Sequence, residues 1–306
     1  MNVREWALPV YTILMQFSIG TLFFLWCLRS LGMRQLDPGT ADRILRKPML
    51  LIVSVIVLAI IGSHFHLSRP YFSFLAVLNF GQSWLSREIV FTIIMLITCA
   101  VLTYLIWFQD TRQALKTALG WLAVACGGIV IYCMAHLYLI PTQPTWNTWV
   151  TVLVFFGTAL LLGAASAAAL LIMDSVFSEP KEPELAAIRY DILQRTSIPY
   201  ASLAVAGAAG ILLLNAYQIA TLRAGDAIAQ TSLGLLLGVY GPLLGLRIVS
   251  LVAGGWLLVL TIFWIYRRRK TLEEVVVPVH LACLLVVVGE ILGRFLFYAT
   301  HVRVGV

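Results

Sequence analysis

Residues 49–70 read MLLIVSVIVLAIIGSHFHLSRP: an apolar run that starts at Met49 without one charge and closes on GSHFHLSRP, with two histidines and an arginine. A helix of about 20 apolar residues crosses roughly 30 Å of hydrocarbon. Seven further stretches meet that standard, so crossing helices are expected near Leu8–Leu28, Met49–Phe65, Ile89–Phe108, Ala118–Ile140, Trp149–Met173, Pro199–Leu222, Ile248–Tyr266 and Val275–Thr300. The composition agrees. Of 306 residues 61% are hydrophobic and 11% charged, against about a quarter charged in soluble domains, and the mean hydropathy is +0.94. The expected fold class is therefore all-α: a polytopic membrane protein with eight transmembrane helices, multi-pass in a bacterial inner membrane.

A net charge of +7 could suggest nucleic acid, but the cations are scattered over short loops rather than gathered on a domain, and no nucleic-acid partner is expected. They report orientation instead. Arg29, Arg34, Arg43, Arg46 and Lys47 follow the first span, Arg112 and Lys116 the third, Lys181, Arg189 and Arg195 the fifth, and Arg267, Arg268, Arg269 and Lys270 the seventh. These are 14 of the 21 basic residues. The positive-inside rule makes their side cytoplasmic and puts both termini in the periplasm. The first span is expected to stay in the mature chain, because Met1–Ala7 carries only Arg4 against Glu5 and no small-residue cleavage site precedes the charged loop.

Cys27, Cys99, Cys126, Cys133 and Cys283 all fall within spans and none forms a Cys-x-x-Cys pair. They read as small core hydrophobes. Neither an iron–sulfur cluster nor a metal site is expected in this chain. The loop DSVFSEPKEPELAAIRYDILQRTS reads as a solvated connector whose Pro180 and Pro183 break any helix early in it.

Internal similarity divides the single membrane domain, 1–306, into two four-helix halves, 1–140 and 148–306. RPYFSFLAVLNFGQSWLSREIV follows the second span and RAGDAIAQTSLGLLLGVYGPLLGLRIV the sixth. Each joins two spans through an apolar stretch too short to cross, then a glycine, then a charged residue and Ile-Val. Tyr71–Phe80 and Leu233–Tyr240 are thus expected to lie along the outer interface or to re-enter.

Ionisable residues at membrane depth are costly, so their distribution is informative. His64, His66, Arg69, Arg87, Glu88, His136, Arg247, Glu290, Arg294 and His301 all fall toward the outer level. Glu290 and Arg294 are four apart, the spacing of a helical ion pair. Each member has a plainer reading. Glu88 suits the first turn of a helix after Ser86, Glu290 and Arg294 a structural pair, and His64 and His136 packing. As a group at one depth they suit quinol oxidation, which needs hydrogen-bond acceptors that take up protons; histidine and a partly desolvated carboxylate serve as such bases.

FHLSRPYFSFLAVLNFGQSWLSREIV, PTQPTWNTW and GEILGRFLFYATHVRVG resemble the membrane anchor subunit of the dimethyl sulfoxide reductase family of molybdoenzymes, over nearly the whole chain. The resemblance implies an anchor for an iron–sulfur electron-transfer subunit and a molybdopterin catalytic subunit, with menaquinol as the bound substrate and the clusters and molybdopterin held by the partners. It also implies His66 and Glu88 as the quinol-site pair. His64, Arg69, Arg87, Arg247, Glu290 and Arg294 are the further candidates for quinol binding. Family members often carry Gly after His-Leu and Arg two positions beyond the Pro, where this chain has Ser68 and Phe72, with Arg69 ahead of the Pro. Three other readings remain open: a haem b cytochrome using His66, His136 and His301, a secondary transporter, and a purely structural anchor. No haem is expected.

Overall fold

A computed structural model of the chain describes residues 3–64, 70–177, 183–267 and 272–302. Among these residues there is no strand, and the long elements are α1 (Val3–Cys27, continued as a π-turn over Leu28–Gly32), α2 (Pro38–His64), α3 (Trp84–Phe108), α4 (Gln113–Leu137), α5 (Trp149–Phe177) and α6 (Pro183–Ala224). A short α7 (Ala227–Gly234, continued by a π-turn over Leu235–Val239), α8 (Gly241–Arg267) and α9 (Leu272–Ala299) complete the set. All but α7 are long and apolar enough to cross a bilayer. Helices are suited to this because each pairs its backbone polar groups within itself where no water can.

These eight helices match the eight apolar runs of the sequence to within a few residues at most ends, but two begin well before them. α2 starts at Pro38, ahead of Arg43, Arg46 and Lys47. Arg46 explains part of this, since its Nε donates to the Ile106 carbonyl at 3.2 Å and its guanidinium lies 5.7 Å from the Trp107 ring; a long stem on apolar surface with a paired head lets a helix carry cations to the membrane edge. α6 starts at Pro183 and runs 42 residues through Pro199. The second part of the expected connector is therefore helical, with Pro183 at the helix start, where its missing N–H costs nothing.

Successive crossing helices reverse direction, so eight of them bring residues 3 and 302 to the same end of the bundle, here the terminal end. α1 and α5 form the centre. Two-thirds of the most apolar window of each is buried, against at most half for the other spans. They can meet closely because of glycine: a Cβ on Gly20 would collide with the Ala159 carbonyl, and one on Gly163 with the Gly20 backbone. Small residues at a crossing let membrane helices pack backbone to backbone. Two polar links cross the same seam, Gln16 Nε2 to the Phe155 carbonyl at 2.8 Å and the Thr21 and Ser166 hydroxyls at 2.5 Å. Around this centre α2 and α4 pack on α1, α3 on both of them, α6 and α9 on α5, and α8 on α6 and α9.

Opposite the terminal end a buried ionic knot joins α1, α2 and α4. Asp42 meets Arg29 at 2.6 Å and Lys116 at 2.5 Å, and Gln113 bonds both Asp42 and Arg29. Asp42 and Lys116 are fully buried. At the terminal end, a 3-10 helix over Pro70–Asn79 connects α2 to α3, and α7 with its π-turn connects α6 to α8. Both stretches are too short to cross and expose apolar side chains, Leu78 at 80% and Val239 at 68%.

Candidate functional site

α3 begins at Trp84, where Ser83 caps it by accepting from the Ser86 N–H at 3.3 Å. Glu88 is therefore the fifth helical residue and lies beyond the first turn, so the helix-dipole explanation of this acid does not hold. It faces inward and is 3% exposed, and its Oε2 has no hydrogen-bond partner among the described residues. Tyr11 of α1 faces both the Glu88 carboxyl and the Thr92 hydroxyl. The result is a buried carboxyl beside the Tyr11 hydroxyl, with one oxygen unpartnered among the described residues.

The neighbouring residue has another task. Arg87 donates to the Phe80 carbonyl at 3.0 Å and the Gly81 carbonyl at 2.6 Å, and lies 4.5 Å from the Trp84 ring. It thus closes the C-terminal end of the 3-10 helix, while Ser86 Oγ bonds the Ala76 carbonyl within it. His64 ends α2 with an exposed ring whose Nδ1 bonds the Ile60 carbonyl at 2.7 Å. His66 and Arg69 lie outside the described residues. His136 packs against Trp84 and Tyr132, and His301 stacks on Trp146.

Arg247, Glu290 and Arg294 do come together, in a different arrangement from the expected one. Glu290 Oε2 accepts from Thr158 at 2.5 Å and its Oε1 is 3.7 Å from Arg247 Nη2. Its ion-pair partner is thus Arg247 on α8, not Arg294 one turn along α9. Arg294 turns to α1 and α5, donating to Gln16 Oε1 at 2.8 Å with its guanidinium 3.9 Å from the Phe155 ring. The glycines of GEILGR make this possible. A Cβ on Gly289 would press on Leu251, and one on Gly293 would lie 2.5 Å from the Arg247 guanidinium.

Tyr138 and Tyr298 are hydrogen-bonded to each other and pack edge-on against Trp146 and Phe297. PTQPTWNTW fixes this wall from outside, because Trp146 donates to the Phe297 carbonyl at 2.8 Å and stacks on its ring. Glu88 is absent from the cavity that Arg247, Glu290 and Arg294 line. The sequence had grouped all four acids and bases by depth; laterally they form two separate places.

Tyr11, Tyr138, Tyr298, Gln16, Thr158 and Asn215 were not picked out from the sequence. Their signal was a polar atom in mid-helix, weak because hydroxyls can bond back to their own helix and tyrosines belong at membrane interfaces. Among the described residues no group of three histidine, cysteine, aspartate or glutamate side chains is placed to hold a metal.

An all-helical chain with eight helices long and apolar enough to cross a bilayer is, as a class, a multi-pass membrane protein. The chain belongs to the family of the DMSO reductase anchor subunit (DmsC), whose family model matches residues 1–300. It is 30% identical to the anaerobic dimethyl sulfoxide reductase chain YnfH of Escherichia coli, over 99% of this chain and 96% of that protein. The C subunit of anaerobic dimethyl sulfoxide reductase is 25% identical in Escherichia coli, over 99% of this protein and 96% of that one, and 26% identical in Haemophilus influenzae, over 100% and 98%.

Proposed function

We propose that this anchor subunit binds menaquinol at the terminal end, beside the start of α3, and oxidises it for an iron–sulfur electron-transfer subunit that serves a molybdopterin catalytic subunit. Glu88 carries the proposal: it is a buried carboxyl with one oxygen unpartnered among the described residues, at the depth a lipid-soluble quinol ring reaches. The Glu88 Oε2 accepts one quinol hydroxyl proton and His66 the other. Two electrons leave with the two protons, so menaquinol becomes menaquinone and the electrons pass to the partner docked on this end. Tyr11 holds the carboxyl in place.

Both termini are read as periplasmic, supported by the gathering of 14 of the 21 basic residues toward the other end. Two four-helix halves are supported by the closed sets of contacts α1–α2–α3–α4 and α5–α6–α8–α9. With protons released into the periplasm, and substrate reduction on the same side, turnover moves no net charge across the membrane.

Loss of a positioned proton acceptor slows such a step by about 10²–10⁴-fold. Glu88→Gln is expected to lower quinol oxidation within that range while assembly with the partners stays intact, and His66→Ala to weaken binding of a menaquinol analogue. Wild-type rates in both variants would leave a purely structural anchor. A quinol-driven voltage in proteoliposomes would refute the placement of proton release.

A further inference from the structure

A cavity of about 70 Å³ lies at the terminal end among α5, α6, α7, α8 and α9. Among its lining residues are two arginines, Arg247 and Arg294, and a single acid, Glu290. Six buried atoms of the lining have no hydrogen-bond partner among the described residues: Arg247 Nε, Arg294 Nε, Asn215 Nδ2, Ser232 Oγ, Thr145 Oγ1 and Glu290 Oε1. Native interiors pair nearly all such atoms, with protein or with something bound. Here the residues that carry the orphans all line one space.

Their chemistry is one-sided, since five of the six can donate a hydrogen bond and only the Glu290 oxygen cannot. Charge is one-sided too. Glu290 offsets one guanidinium, and the other, on Arg294, meets the neutral Gln16 and the Phe155 and Phe297 rings. Both arginines are about as buried as the acid, at 5%, 4% and 2% exposure for Arg247, Arg294 and Glu290. At bilayer depth ionised side chains are paired, and a surplus cation calls for an anion. Water would satisfy the N–H groups without neutralising them.

Size selects among anions. A cavity of about 150 Å³ admits a benzene ring, whereas a water needs about 10–15 Å³. The fused ring of a quinol does not fit, nor does a phospholipid headgroup. An ion of one to three heavy atoms does, with a water or two.

We propose that this cavity is a binding site for one small monovalent anion of the halide or formate class, held by Arg247 and Arg294 with Asn215, Ser232 and Thr145 as donors. Gly293 belongs to the site because a side chain there would displace the Arg247 guanidinium. The site is independent of quinol oxidation and stands or falls separately from it.

The full chain, purified in detergent with sodium gluconate, can be titrated with sodium chloride, bromide or formate at constant ionic strength while thermal unfolding is followed. Each small anion is expected to raise Tm with the logarithm of its concentration above Kd, by about 5 °C at 100 times its Kd, and sulfate is not. Asn215→Leu and Gly293→Ala should weaken the apparent affinity at least tenfold. Arg247→Met, which leaves one cation to one acid, should abolish the anion dependence. No halide-specific rise in the wild type overturns the proposal and leaves a water-filled cavity. A rise that persists undiminished in both Arg247→Met and Asn215→Leu also overturns it, as an adventitious ion only. Should those variants fail to fold, wild-type crystals grown in bromide decide, since an anomalous peak touching both arginines is required and its absence is fatal.

Discussion

Asp42 shows how much one residue can hold together. It has no exposure, and it accepts from Arg29, Lys116 and Gln113 on two other helices. Removing one partner of a buried ion cluster leaves the others uncompensated, at about 3–5 kcal/mol. Asp42→Asn is therefore expected to destabilise the chain by that amount, measured by chemical unfolding in detergent, while Asp37→Asn at the exposed start of α2 changes it little. The charges of this knot were visible in the sequence, but only as loop cations that set orientation. Lys116 bonds a residue 74 positions away, and no periodicity reveals such a contact. Glu88, by contrast, was legible because an acid among apolar residues is conspicuous; the phenol that faces it, Tyr11, was not.

The helices were legible as elements because an uninterrupted apolar run has few other solutions in lipid. Their ends were less so. Cations and prolines argued for loops at 38–48 and 183–198, yet α2 and α6 extend through both, since a stem that covers apolar surface and a head bonded to a carbonyl offset the cost of the charge. The short outer stretches, expected only to lie along the outer interface or to re-enter, form a 3-10 helix and a short α-helix ending in a π-turn. Ser86 ties the first of them to α3 through the Ala76 carbonyl. A single such bond contributes about 1 kcal/mol, so Ser86→Ala should speed amide exchange over residues 75–79 about fivefold without altering exchange in the body of α3. Arg87→Gln, which frees the Phe80 and Gly81 carbonyls, should act on the same stretch and add to it.

For the molecule as a whole, the decisive contact is that between α1 and α5. Both were assigned as spans, but nothing in their hydropathy showed that they lie at the centre. The small residues of LLLGAASAAALL in α5 were the available sign. Gly20 and Gly163 leave no room for a side chain, so Gly163→Leu is expected to prevent compact folding, seen as loss of the monodisperse species in detergent, whereas Gly210→Leu, with open space at its Cβ position, is tolerated. That seam has a mechanical consequence. Carriers that alternate access rock one set of helices against another about a sliding plane; two backbones in direct contact, pinned by Gln16 on Phe155 and Thr21 on Ser166, provide no such plane. If the chain oxidises quinol as proposed, a rigid keel of this kind fixes the length of the path from quinol to partner, and rate then depends on that length rather than on the timing of a moving part.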